Sequence, residues 1–303
     1  MDLSIVIPVY NEERNIAPLY QKLRDVLRHT GKKYELIFID DGSTDNTFLE
    51  LKNISQKDKQ VKAIRFQRNF GKSAALSAGF DNVKGSIVIT MDGDLQDDPG
   101  EIPKLLEKVK DSDLVVGWRY RRSDTLWKKL PSKLFNFLVT LFTGVRVHDS
   151  NCCFKAFKKK VVDNINLYGE LHRYIPSIAY WKGFKVGEVK VMHNKRIHGK
   201  SKYGSSRLLK GFLDLITVKF LMQYSTRPMH LFGGVGLILS SLGSMVIVFL
   251  YLRKFLFGIR IGSVPYLFIL GVLSVILGMQ FVSLGLLGEM IIGKSRIKRY
   301  IIK

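Results

Sequence analysis

Asp92-Gly93-Asp94-Leu95-Gln96-Asp97-Asp98 sets four carboxylates side by side directly after the apolar run Ser86–Met91. Carboxylates this close repel one another unless a cation sits among them. Oxygen ligands of this kind suit a hard divalent ion, Mg2+ or Mn2+, which could also bridge to a diphosphate. A solvated acidic turn that caps the helix starting near Pro99 is the competing reading; it suits Asp97 and Asp98 but not Asp92 and Asp94. A second acidic cluster, Asp40-Asp41-Gly42-Ser43-Thr44-Asp45, follows the apolar run Tyr34–Ile39. A carboxylate there could accept hydrogen bonds from a ribose or a base. Ser43, Thr44 and Asp45 fit an Asx-type turn and helix cap equally well, and that is their default reading. The first apolar run leads into Pro8-Val9-Tyr10-Asn11-Glu12-Glu13 without a glycine-rich turn, which disfavours dinucleotide chemistry.

These clusters need elements to hold them. From Met1 to about Lys202, short apolar runs alternate with charged amphipathic stretches, the rhythm of an α/β domain. Strands are predicted over Ser4–Val9, Tyr34–Ile39, Val61–Phe66, Ser86–Met91 and Asp113–Trp118. Helices are expected between them, one from Ser43/Thr44 to near Gln56 and one from Pro99 to near Lys110. The expected fold is a largely parallel sheet covered by helices, with ligands beyond the carboxyl ends of its strands. After Pro228 the composition changes. Leu231–Leu252 and Val264–Leu287 are essentially uncharged and long enough to span a bilayer. A buried hairpin in a large soluble core is the poorer alternative, and the glycines within the runs suit close helix packing in lipid. Arg207, Lys210, Lys219 and Arg227 precede the pair, and Lys294, Arg296, Lys298, Arg299 and Lys303 follow it. The connecting loop carries only Arg253, Lys254 and Arg260, so both ends are expected on the cytoplasmic side. Ser206–Met222 reads as an amphipathic helix in the headgroup layer, or as an ordinary helix packed on the domain.

PVYNEE, DDGSTDNT, RNFGKSAAL and MDGDLQD, in this order, resemble a family 2 glycosyltransferase of the GT-A fold. VGWRYRR, DSNCCFKAF, GELHRYIP and RIHGKSKYG, followed by two spans, resemble the polyprenyl-phosphate branch of that family, which includes dolichyl-phosphate mannose synthases and bactoprenol glucosyltransferases. The resemblance covers almost the whole chain. It implies a GT-A catalytic domain over residues 1–202, a juxtamembrane region over 203–228, two transmembrane helices over 229–292 and a basic cytoplasmic tail over 293–303. It implies inverting transfer of a hexose from a nucleotide-sugar to polyprenyl phosphate, with UDP-glucose favoured over GDP-mannose and undecaprenyl phosphate as the acceptor. By the same resemblance Pro8, Tyr10, Glu12, Ile39, Asp41 and Gly93 line the nucleotide-sugar site and Asp92 contacts the donor. Asp94 with Gln96 ligates Mg2+ or Mn2+. Arg119, Arg196 and Lys202 match positions that hold the diphosphate or the acceptor phosphate, and Asp149 matches a carboxylate near the reacting centre. Arg122, His172, Arg173 and Ser201 complete the acceptor-phosphate set, although His172 taken alone reads equally as a structural histidine. Cys152-Cys153 departs from the small-residue pattern expected beside Asp149.

The chain of 303 residues carries 48 Lys+Arg against 26 Asp+Glu, a formal charge of +22, which predicts anionic partners without choosing among them. A nucleic-acid binder is disfavoured, because the cations spread over helices and membrane flanks while the strand ends are acidic. A processive polysaccharide synthase is disfavoured as well: two spans are few for a channel, and there is no Gln-x-x-Arg-Trp segment. Cys152 and Cys153, the only cysteines, are too few for a disulfide framework and point to a reducing compartment. The start of the chain does not resemble a secretory signal. The protein is therefore expected as a multi-pass protein of the cell (inner) membrane with its catalytic domain in the cytoplasm. Self-association through the glycines of the spans would make it a homo-oligomer.

Overall fold

The computed structural model describes residues 1–120, 139–194, 207–224 and 227–294. The expected sites Arg122, Arg196, Ser201 and Lys202 lie outside the described residues, as does the expected domain boundary at residue 202. The described chain divides into two compact units, Met1–Val218 and Lys219–Lys303.

The first unit is built on a seven-stranded sheet. Its strands are β1 (Leu3–Val9), β2 (Tyr34–Asp40), β3 (Val61–Arg65), β4 (Ile87–Thr90), β5 (Leu114–Arg119), β6 (Lys155–Lys158) and β7 (Val186–Val191), in the spatial order β3-β2-β1-β4-β6-β5-β7. The five predicted strands are all present, with ends shifted by one residue or so. β1, β2, β3 and β4 run parallel, whereas β6 runs antiparallel between β4 and β5, so the sheet is mixed. β2 is buried over its whole length, as a central parallel strand covered on both faces should be. The chain leaves β1 for β2 on one side and returns to β4 on the other. This puts a topological switch beside β1, where open sheets of this kind bind ligands.

Helices α1 (Glu13–His29), α2 (Thr47–Lys57), α3 (Lys72–Phe80) and α4 (Ile102–Lys108) connect the early strands. α1 buries Ile16, Leu19, Leu23 and Leu27 at helical spacing. α2 starts at Thr47, three to four residues later than Ser43/Thr44 suggest, because those residues are engaged elsewhere (below). Two short helices, α5 (Lys159–Val162) and α6 (Ile175–Trp181), flank β6 and β7. A helix, α7 (Arg207–Tyr224), occupies the stretch expected to be helical over Ser206–Met222, with Leu215 and Val218 buried.

The second unit is a helical hairpin of α8 (Pro228–Phe257) and α9 (Pro265–Lys294). Both helices are long and apolar enough to cross a membrane. Arg253 and Lys254, expected in the connecting loop, instead lie within α8, Lys254 in its last turn. The helices meet through glycine. A Cβ on Gly236 would lie 2.6 Å from the carbonyl oxygen of Gly278, and one on Gly243 would lie 2.6 Å from that of Gly271. The glycines that argued for self-association are thus used within the hairpin itself. Large side chains point outward: Leu237, Ile238, Leu242, Ile269 and Leu270 are all exposed.

Candidate active site

The carboxyl ends of β1, β2 and β4 lie side by side, which brings the three sequence clusters to one edge. Because β6 is antiparallel, the loop that precedes it reaches the same edge and adds Asp149, Cys152 and Cys153.

The segment after β2 is braced against the segment after β1. Asn11, in the left-handed region at φ 53°, accepts from the Thr44 amide at 2.8 Å and donates its own amide to Ser43 Oγ at 2.9 Å. Asp45 accepts from both the amide and the hydroxyl of Thr47, at 3.0 and 2.5 Å, so it forms the expected Asx-type turn while Ser43 and Thr44 act as cross-links. Gly42, at φ 72°, could not carry a side chain, since a Cβ would meet the Arg68 backbone at 2.4 Å. Asp41 is buried and accepts from the amides of Phe70 (2.7 Å) and Gly71 (3.0 Å). Burial raises its pKa, and those two backbone donors oppose the rise. Asp41 therefore fixes the entry to α3. The side chain of Ile39 has no exposure and packs where a Cβ on Gly79 would lie 3.0 Å away, so only its backbone at the end of β2 is left to face a ligand. Pro8 lies within β1 opposite Ile39, and Tyr10 follows the strand, both half-buried. Glu12 accepts from Asn15 at 2.5 Å at the start of α1, and its amide donates to Thr47 Oγ1 at 2.8 Å.

After β4 the acidic residues go separate ways. Asp92 pairs with Lys72, the first residue of α3, at 2.5 Å. Burial works against the charged carboxylate, but Lys72, the Cys153 thiol and Arg119 together outweigh it and hold its pKa down to about 2. Gly93 is buried against Val9, where a Cβ would stand 2.6 Å from Cγ1. Asp94 is buried and accepts from the Gln96 amide at 3.1 Å. Leu95 between them has φ 61°, a conformation rare for a branched residue, and it turns Asp94 and Gln96 away from the line of the strand. Asp97 is buried, which corrects the expectation of a solvated cap. It accepts from the Asp92 amide at 3.1 Å and faces His193 at 3.8 Å. Asp98 does cap, accepting from the Gly100 amide at 3.0 Å.

The other side of the edge is cationic. Arg119 forms a two-pronged pair with Asp149, at 2.6 and 3.0 Å, and both side chains are largely buried. Lys155 is buried and donates to the Cys152 carbonyl, while burial lowers its pKa. His172 is buried: its Nδ1 lies 3.0 Å from Ser73 Oγ, and its amide donates to the same oxygen at 3.1 Å. Burial, helped by Lys72, Arg173 and Lys155, holds its pKa well below the usual histidine range. These bonds and the lowered pKa are in keeping with the structural reading of His172. Arg173 is buried and paired with Glu170 at 2.7 Å. A small cavity between these groups is lined by Lys72, Thr90, Asn151, Cys153, Lys155 and His172.

Sequence reasoning missed Lys72, Lys155 and His193. Lys72 and Lys155 had a signal, since each is a cation inside a quoted segment, RNFGKSAAL and DSNCCFKAF; His193 had none, since only the fold brings it to this edge. His193 Nε2 lies 3.4 Å from the Gln96 amide nitrogen, and among the described residues its buried Nδ1 makes no hydrogen bond, the Asp97 carboxylate being 3.8 Å away.

Comparison with known proteins agrees with this geometry. Residues 4–165 match the family model for glycosyl transferase family 2. Over 96% of its length the chain is 39% identical to a dodecaprenyl-phosphate galacturonate synthase of Rhizobium johnstonii, covering 88% of that protein. It is 35% identical to an undecaprenyl-phosphate 4-deoxy-4-formamido-L-arabinose transferase of Pseudomonas paraeruginosa, over 95% of this chain and 84% of that one. A solved structure of glucosyl-3-phosphoglycerate synthase from Mycobacterium tuberculosis, in complex with Mn2+, uridine diphosphate and glucosyl-3-phosphoglycerate, superposes with a TM-score of 0.55 at 16% identity. That match covers 73% of this chain and 79% of the other, and it shows a shared fold of the GT-A type. The sheet with its switch beside β1, the acidic strand ends and the length of these matches converge on one assignment: the chain belongs to glycosyl transferase family 2 and is similar to its polyprenyl-phosphate glycosyltransferases.

Proposed function

We propose that the protein transfers a sugar from a nucleotide-sugar to polyprenyl phosphate with inversion, at the cytoplasmic face of the inner membrane. The observation that carries this reading is the meeting at one sheet edge of acidic groups suited to a metal-diphosphate with a buried arginine-carboxylate pair. Named relatives use galacturonate and 4-deoxy-4-formamido-L-arabinose on polyprenyl phosphates, so those sugars join UDP-glucose and GDP-mannose as donors to test. UDP is favoured over GDP, in line with the uridine diphosphate held by a protein of the same fold.

The residues fit a divalent ion. Asp94 and Gln96 offer hard oxygen, and His193, whose buried Nδ1 makes no hydrogen bond among the described residues and faces Asp97 at 3.8 Å, brings its Nε2 to 3.4 Å from the Gln96 side chain. Among the described residues no three His, Cys, Asp or Glu side chains form a metal cage. Mg2+ or Mn2+ is commonly held by one or two carboxylates while substrate phosphates complete the shell, a set that Asp94 and Gln96 could begin. Such an ion would supply charge stabilisation for the departing diphosphate. The protein's own part is positional and electrostatic. A lipid phosphate is already anionic at neutral pH and needs no strong base, so cations matter more than proton transfer. Arg119, locked by Asp149, presents a fixed guanidinium edge for a phosphate or diphosphate oxygen. The remaining expected phosphate contacts are Arg122, Arg196, Ser201 and Lys202.

Incubation with radiolabelled UDP-glucose, UDP-galacturonate, UDP-4-deoxy-4-formamido-L-arabinose or GDP-mannose, undecaprenyl phosphate and Mn2+ tests the reading. Label extractable into organic solvent is expected; label in insoluble polymer, or none with any donor, overturns it. Asp94→Asn should lower kcat by at least about a hundredfold while the protein stays folded, the scale expected when a group that stabilises developing charge is lost. Orientation follows from labelling in intact cells: a cysteine introduced at Ser263 should react from outside and one at Ser295 should not.

A further inference from the structure

We propose that Lys72 is a positioning residue that occupies, at Asp92, the place a metal ion would otherwise take, so that the two aspartates of the Asp92-Gly93-Asp94 turn serve different cations. This deepens the glycosyl-transfer reading above and rests on it. Asp92 and Asp94 are two residues apart, and two free carboxylates at that spacing would compete for one divalent ion. The geometry removes the competition. The Asp92 carboxylate is bonded to the Lys72 ammonium at 2.5 Å, whereas the Asp94 carboxylate is turned toward the Gln96 amide by the left-handed Leu95.

Lys72 is held firmly enough for this task. It is the first residue of α3, whose approach is fixed by Asp41 through the amides of Phe70 and Gly71. The next residue, Ser73, is clamped by both the amide and the ring of His172. The Lys72 side chain is about one-fifth exposed and that of Asp92 about one-third, so the pair borders the cleft. An ion pair this accessible adds little to stability by itself. Its value is a carboxylate kept ionised and aimed before any donor arrives.

The decisive measurement is Mn2+ binding to the full-length protein in detergent, followed by the electron paramagnetic resonance of the free ion. Lys72→Met should bind Mn2+ several-fold more tightly than wild type, or bind a second ion, because the Asp92 carboxylate is released. Lys72→Arg should stay near wild type. The gain should vanish in the Lys72→Met/Asp92→Asn double variant, a cancellation that a merely nearby charge would not give. In the transfer assay Lys72→Met should lower kcat by about tenfold or more with the donor KM little changed, the pattern of a contact that matters mainly in the transition state. Lys72→Cys treated with 2-bromoethylamine, which rebuilds a lysine-like ammonium, should recover activity and wild-type Mn2+ affinity. Unchanged or weaker Mn2+ binding in folded Lys72→Met, or a gain that survives Asp92→Asn, overturns the proposal. Should Lys72→Met not fold, the alkylated and untreated Lys72→Cys proteins make the same comparison. A wild-type protein that gives the expected Mn2+ pattern but transfers no sugar would instead sink the glycosyl-transfer reading and leave the division of cations standing.

Discussion

The catalytic unit and the helical hairpin bury opposite things. In the first, Leu36, Ile37, Phe38 and Ile39 of β2 are fully enclosed and polar groups gather at the sheet edge. In the second, Leu237, Leu242 and Leu270 are more than half exposed, while Gly236, Gly243, Gly271 and Gly278 form the contact between helices. Water rewards enclosure of the large apolar side chain. Lipid is as apolar as leucine and offers no such reward, so close backbone approach through small residues takes its place. The same residue type therefore carries opposite structural meaning in the two units.

That contrast can be broken by substituting one residue type in both places. Leu36→Ala should destabilise the catalytic unit by about 2–5 kcal/mol, as a cavity in a packed core does. Its check is urea unfolding followed by tryptophan fluorescence. Gly278→Leu should come next, at about 1–3 kcal/mol, because the added side chain must push past the Gly236 carbonyl and Ser240. Thermal unfolding in detergent reads it, and an unchanged melting temperature would mean the hairpin contact is looser than its glycines imply. Leu237→Ala, at 62% exposure, should stay within about 0.5 kcal/mol of wild type in the same assay. Should it cost as much as Leu36→Ala, that face of α8 is covered rather than bathed in lipid. The smallest effect concerns protons. His172 has a folded pKa well below 6.5, so the unfolded chain takes up a proton in a range where the folded protein does not. Stability should then fall as pH drops below about 6.5, and His172→Gln should flatten that slope. A wild-type melting temperature that is level from pH 7.5 to 5.5 would contradict a neutral buried histidine.

Much of the catalytic edge was legible in the sequence because acidic clusters end strands whose apolar runs are hard to mistake. The three clusters at β1, β2 and β4 come together as the alternating pattern implies. β6 was invisible as a strand. Lys155–Lys158 is four residues long and begins and ends with lysine, and only its place between β4 and β5 makes it part of the sheet. The burial of the Ile39 side chain was not legible, because a motif gives a position along the chain but not the face of the strand. Asp97 looked like a helix cap by spacing, yet tertiary contact with His193 and the Asp92 amide draws it inside. Partners such as Lys72 for Asp92 are twenty residues apart and could be paired only once the sheet order was known. In the hairpin, hydropathy gave the helices, but their true length was understated because Arg253 and Lys254 remain helical beyond the apolar stretch.

The two adjacent thiols have a consequence of a different kind. Cys152 and Cys153 are both enclosed, and burial pushes the pKa of Cys152 up to about 12 and that of Cys153 higher still. A protonated, shielded sulfur is a poor nucleophile, so the folded protein is expected to react only slowly with maleimides. On that expectation the native chain would serve as a background for site-specific probes without removal of its cysteines. The slow reaction would also work as a clock. Both cysteines lie just before β6, where Lys155 donates to the Cys152 carbonyl, so the rate at which they become alkylated should record how often this edge of the sheet opens, independently of any assay of turnover.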